Sequence, residues 1–168
     1  MAIRLRGIAV GIFIIFLFGM LMNVLWESIC FFIFIMLLRK FSGGYHANKE
    51  WACYLISTII VLITSFLIKC ISNRQIYLMI LLFVLFVFSF MIIFIMSPVD
   101  SACRRLSNEE TVNFRFRARI ILFLETGAVI FSCFFGNLTI CTAVMLAVIW
   151  TSIGEIFGKL KNIRQISP

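Results

Sequence analysis

Apolar residues run along this chain in long blocks separated by a few short polar intervals. The cleanest block is Ile76–Met96, where Tyr77 and Ser89 are the only polar interruptions. Its 21 residues, at about 1.5 Å each in a helix, match a hydrocarbon core about 30 Å thick. Further blocks run from near Gly7 to about Val24 and over Ala52–Ile68, Arg119–Phe135 and Leu138–Phe157. Ser28–Leu38 is apolar but short, which fits either a thin or tilted second crossing or a re-entrant segment. β-branched and aromatic residues are plentiful, yet period-two alternation is absent, which argues against a β-barrel. The pattern predicts an all-α, polytopic integral membrane protein with about six transmembrane helices in one domain, residues 1–168.

Composition narrows the class. The chain has 168 residues, 63% hydrophobic and 13% charged, with 20 Phe and a mean hydropathy of +1.14. Soluble domains are about 45–50% apolar and about 25% charged. A cytosolic globule, a disordered chain and a secreted disulfide scaffold are therefore excluded.

Charge decides the topology. If Ser28–Leu38 crosses and the N-terminus is cytoplasmic, only Lys69 and Arg74 of the 15 basic residues lie outside. That is the bias of the positive-inside rule. If the segment only dips in, later loops change sides and the bias collapses. Six crossings with both termini cytoplasmic follow. The net charge of +8 then mostly fixes orientation, with the lipid bilayer and its anionic headgroups as partner and no nucleic acid expected. Arg4 and Arg6 before an apolar run resemble a secretory signal. No small-x-small cleavage site follows Phe18, so a retained first helix is expected.

The polar interval that can carry chemistry is Leu38–Cys53, LRKFSGGYHANKEWAC. It holds the only histidine of the chain, His46, and Cys53 follows seven positions later. A thiolate attacks, and an imidazole takes the thiol proton and returns it to the leaving amine. On one continuous helix the two would stand two turns, about 10.5 Å, apart, beyond the reach of about 3 Å that proton transfer needs. The pairing therefore predicts that His46 lies on a loop folded back over the first turn of the helix carrying Cys53. Gly43 and Gly44 supply the backbone freedom for that turn. An interfacial histidine and a small apolar cysteine are the plain alternative. A single His without CxxC or HExxH builds no local zinc site, so neither a metal nor a cofactor is expected.

Leu38, Arg39, Gly43, Gly44, Tyr45, His46, Ala47 and Cys53 together resemble the signature of the accessory gene regulator protein B family (AgrB), bacterial membrane cysteine endopeptidases of peptide quorum sensing. Ser97-Pro98-Val99-Asp100 and Arg104-Arg105-Leu106-Ser107 resemble the family's central loop. The resemblance implies a catalytic pair at His46 and Cys53, in the bacterial cell membrane on its cytoplasmic side. It implies a substrate as well: an amphipathic autoinducing-peptide precursor with an acidic C-terminal tail, cleaved and closed into a thiolactone or lactone. Arg39, Gly43, Gly44 and Tyr45 would position the loop or substrate. Relatives usually carry an amphipathic stretch before the first apolar helix, and only about seven residues precede it here.

Some roles stay open between the residues. Asp100 could orient His46 as a third catalytic member, with Glu50 as a rival. Arg104 and Arg105, in the arginine-rich loop expected over Cys103–Arg119, could attract the acidic tail or simply face headgroups. Glu125 inside an apolar helix should face protein or water. Gly19, Gly127 and Gly154 offer close-packing points for an expected homodimer. The competing function is a small non-enzymatic transporter or export subunit for a peptide.

Overall fold

The computed structural model describes residues 2–43, 50–72, 76–99 and 108–166. They form six helices: α1 (Ala2–Met22), α2 (Leu25–Ser42), α3 (Glu50–Ser72), α4 (Ile76–Met96), α5 (Asn108–Phe134) and α6 (Leu138–Ile166). The helices at Ile76–Met96 and Leu138–Ile163 are long and apolar enough to cross a membrane.

Several helix ends differ from expectation. The short segment Ser28–Leu38 is the middle of an 18-residue helix, α2, which also takes in Glu27 at its start and Arg39 and Lys40 in its last turn. At about 27 Å it is of ordinary spanning length. α5 starts at Asn108, so Arg115, Arg117 and Arg119 stand on a helix and not in a loop. Hydropathy marks the stretch of a helix that prefers apolar surroundings. It is blind to polar turns that continue the same backbone hydrogen-bond ladder.

Contacts between helix ends set the direction of the bundle. The Thr139 hydroxyl donates to Glu27 Oε1 at 2.9 Å, joining the starts of α2 and α6. Val99 N–H donates to the Ser42 carbonyl at 2.9 Å, joining the ends of α2 and α4. Thus α2, α4 and α6 run parallel, and the helices between them run the other way. The α1–α2 reversal is tight: Asn23 takes a φ of 57°, and Val24 N–H donates to the Gly19 carbonyl at 2.9 Å. A Cβ on Gly19 would stand 3.0 Å from the Leu25 Cα, so this glycine packs within the chain and is not free for a dimer contact. Gly127 and Gly154 have open space in front of them.

The centre is α6, which packs against α2, α3, α4 and α5. Every residue from Cys141 to Ile149 on it is buried, with Ala143 and Ala147 allowing close approach of its neighbours. Polar pairs lock the helices from within: Ser152 Oγ donates to Ser89 Oγ at 2.9 Å, Trp150 Nε1 to Thr64 Oγ1 at 3.1 Å, and Ser28 and Ser65 hydroxyls meet at 3.3 Å. On α4 only Leu82, Phe86, Ser89 and Ile93 turn inward, while Phe83, Phe88 and Ile95 are among the exposed residues. Small polar groups inside and large apolar side chains outside suit a bilayer, where interhelical packing and hydrogen bonds hold the bundle. The free cysteines among the described residues are Cys30, Cys70, Cys133 and Cys141.

Candidate functional site

At the end of α2 the chain makes a contact that the sequence does not announce. Gly43 closes the helix by donating its N–H to the Arg39 carbonyl at 3.3 Å. It then turns with φ 80° and ψ −149°, in the region L side chains avoid. Here Gly43 and Val99 form an isolated parallel bridge, beside the Val99–Ser42 hydrogen bond. A Cβ on Gly43 would overlap the Val99 carbonyl oxygen. Glycine is required twice over, by backbone angle and by close approach. The clasp fastens the segment after α4 to the exit of α2.

Of the expected site residues, Arg39 and Gly43 lie at this clasp. Gly44, Tyr45, His46, Asp100, Arg104 and Arg105 lie outside the described residues. Position 53 falls in the first turn of α3, which opens at Glu50. Arg39 also lines a small, partly open apolar cleft between α1, α2 and α3, together with Gly11, Ile14, Phe32, Ile35 and Ser57. Ser57 is one helical turn after position 53.

Three arginines of the basic run have structural partners. Arg115 Nε donates to the Ser97 carbonyl and Arg119 to the Phe94 carbonyl, each at 3.3 Å. The Arg119 guanidinium stacks 4.3 Å from the Phe94 ring. Arg117 stands 5.8 Å from the Phe41 ring, with Lys40 at 5.3 Å from the same ring. Phe41 and Phe114 rings meet at 5.9 Å. These contacts bind the start of α5 to the ends of α2 and α4.

Sequence reasoning passed over Glu155. It is fully buried on α6, and neither of its carboxyl oxygens has a hydrogen-bond partner among the described residues. Ser97 is buried as well, and its hydroxyl has no hydrogen-bond partner among the described residues. The available signal was an acid within the apolar block Leu138–Phe157, since such residues are costly in that setting.

A six-helix bundle with polar locks inside, an apolar exterior and a glycine clasp at one end defines a small helical membrane-type protein. Its sequence matches the model of the family described as accessory gene regulator B over residues 5–154, and the chain belongs to that family. It is 32% identical over 104 residues to an AgrB-like protein of Clostridium perfringens (strain SM101 / Type A), covering 60% of this chain and 49% of that one. With a second AgrB-like protein, from Clostridium perfringens (strain 13 / Type A), it shares 30% identity over the same shares of the two chains. The aligned part is about half the length of these curated relatives. No solved structure matches.

Proposed function

We propose that this protein is a membrane cysteine endopeptidase that matures a peptide signal for quorum sensing. The observation that carries the reading is the Gly43-Gly44-Tyr45-His46-Ala47 motif with Cys53, straddling the connection from α2 to α3 in a chain of this family. The His46 imidazole takes the Cys53 thiol proton, and the thiolate attacks a peptide carbonyl near the C-terminal end of an amphipathic propeptide. The protonated imidazole then gives its proton to the leaving amine, releasing the acidic tail and leaving an acyl thioester on Cys53. A thiol of the bound peptide attacks that thioester, forms the thiolactone and returns the proton to Cys53. A serine hydroxyl in the same place gives a lactone. Exchange between thioesters is nearly isoenergetic, so the acyl bond survives only where water is kept away.

The alternating helix directions support six crossings. They gather Arg39, Lys40, Arg115, Arg117 and Arg119 at the clasp end, with Lys69 in the last turn of α3 at the other. In the proposed orientation the clasp end is cytoplasmic, where a newly made propeptide arrives.

Co-expression with the propeptide encoded beside the gene, followed by mass spectrometry, tests the mechanism. Wild type yields the shortened, cyclised peptide, whereas Cys53→Ala and His46→Ala yield none. Maturation that persists in Cys53→Ala rules the mechanism out and leaves the transport reading. Full activity in His46→Lys removes the general base.

A further inference from the structure

Two cysteines meet at the end of the bundle opposite the clasp, where α2 and α6 start and Thr139 bonds Glu27. Cys133 is the last residue but one of α5, and Cys141 lies in the first turn of α6. Their sulfurs stand 2.9 Å apart, under an ångström more than the length of about 2.05 Å in a disulfide. The turn between them ties down both backbones. Gly136, with a φ of 70°, donates its N–H to the Cys133 carbonyl at 3.0 Å, and Asn137 N–H donates to the Ser132 carbonyl at 2.9 Å. Cys141 N–H donates in turn to the Asn137 carbonyl at 3.1 Å. With each cysteine anchored to the same turn, a small rotation of the side chains closes the gap. The two thiols differ in access: Cys133 is exposed, whereas Cys141 is fully buried. An accessible thiol that attacks, beside a sheltered one that resolves, is the arrangement thiol–disulfide exchange uses.

We propose that Cys133 and Cys141 form a thiol–disulfide exchange site that takes organic disulfides and closes into a disulfide between α5 and α6. Cys133 loses its proton, and its thiolate attacks one sulfur of the organic disulfide. A mixed disulfide forms, and the other half of the reagent leaves as a thiolate and takes up a proton. Cys141 then loses its proton and attacks Cys133 Sγ, so that the second half of the reagent leaves and is protonated in the same way. The two cysteines are oxidised by two electrons together, and the organic disulfide is reduced to two thiols. In the proposed orientation this end of the bundle faces outward, the side on which disulfides persist. The closed form links the end of α5 covalently to the start of α6, far from the clasp, and is independent of the roles proposed for His46 and Cys53.

The test uses the full-length protein in lipid nanodiscs, treated with oxidised glutathione and then with N-ethylmaleimide. Chymotryptic cleavage at Phe134, Phe135 or Leu138 separates the two cysteines, and mass spectrometry reads which are joined. Wild type gives a Cys133 peptide joined to a Cys141 peptide, and Cys133 loses its reactivity toward maleimide until dithiothreitol restores it. Cys141→Ser stops at the mixed disulfide, with glutathione held on Cys133. Cys133→Ser leaves Cys141 an unmodified thiol, because the buried sulfur is out of the reagent's reach. Cys53→Ala closes as wild type does, so a failure of the proposed peptidase and a failure of this site are told apart. The proposal is overturned if wild-type Cys133 ends as a stable glutathione adduct beside a free Cys141. Joining of Cys133 to Cys30, to Cys70 or to Cys133 of a second copy overturns it equally. The joined peptide is read in wild type, so the test stands even where Cys141→Ser does not fold.

Discussion

At Gly43 a positive φ coincides with a carbonyl oxygen where a Cβ would stand. Backbone strain of this kind costs about 1–3 kcal/mol, before the displacement of Val99 is counted. Gly43→Ala is expected to lower the thermal midpoint of the purified protein. It should also cut propeptide processing by roughly 100-fold, since a small misplacement of reacting groups costs that much. Gly127→Ala serves as the contrast. With open space in front of it, it should leave processing unchanged and raise helix stability by up to about 1 kcal/mol. Equal losses in both variants would mean that the clasp plays no special part. Gly43 was legible as part of a motif, because glycine pairs beside a histidine suggest a turn. Its partner was not, since Val99 is one valine among many and is separated from Gly43 by two whole helices. Glu155 went unread for a related reason: an acid near the end of an apolar block looks like the start of the polar tail until its burial is known.

Helices as units were easier to read than their limits. Each expected block became a helix, but α2, α3, α5 and α6 all extend past their apolar stretch. The extension matters most in α5, whose early arginines cap the Phe94 carbonyl of α4 and the Ser97 carbonyl just past its end. The rank of the helices was hidden as well. α4 is the most apolar to the eye, yet it lies at the rim, whereas α6 is the buried axis. Ala147→Leu on α6 inserts bulk where nothing is exposed and should destabilise by about 1–3 kcal/mol. Phe88→Leu on the outer face of α4, 65% exposed, should change stability by less than about 0.5 kcal/mol. Unfolding of both variants in mixed micelles checks the ranking, and a larger loss at Phe88 would reverse it.

For the whole molecule, apolar block lengths and lopsided basic residues suffice to define an all-helical chain with alternating directions and one charged end. The proposed orientation predicts labelling by a membrane-impermeant maleimide in a background without native cysteines. Lys69→Cys should react in intact cells and Lys40→Cys only after permeabilisation. The reverse pattern would invert the topology. These properties are local sums, since each helix meets its surroundings one residue at a time and hydropathy adds along the chain. The motif proposed to carry the chemistry belongs to the same level, because its residues are close in sequence. Which helix lies at the centre, which acids are buried and why Gly43 must be glycine depend on groups far apart in the chain. Such contacts form only when the helices pack. Within an apolar environment that packing is decided by shape and by a few interior hydrogen bonds, which leave almost no trace in a hydropathy pattern.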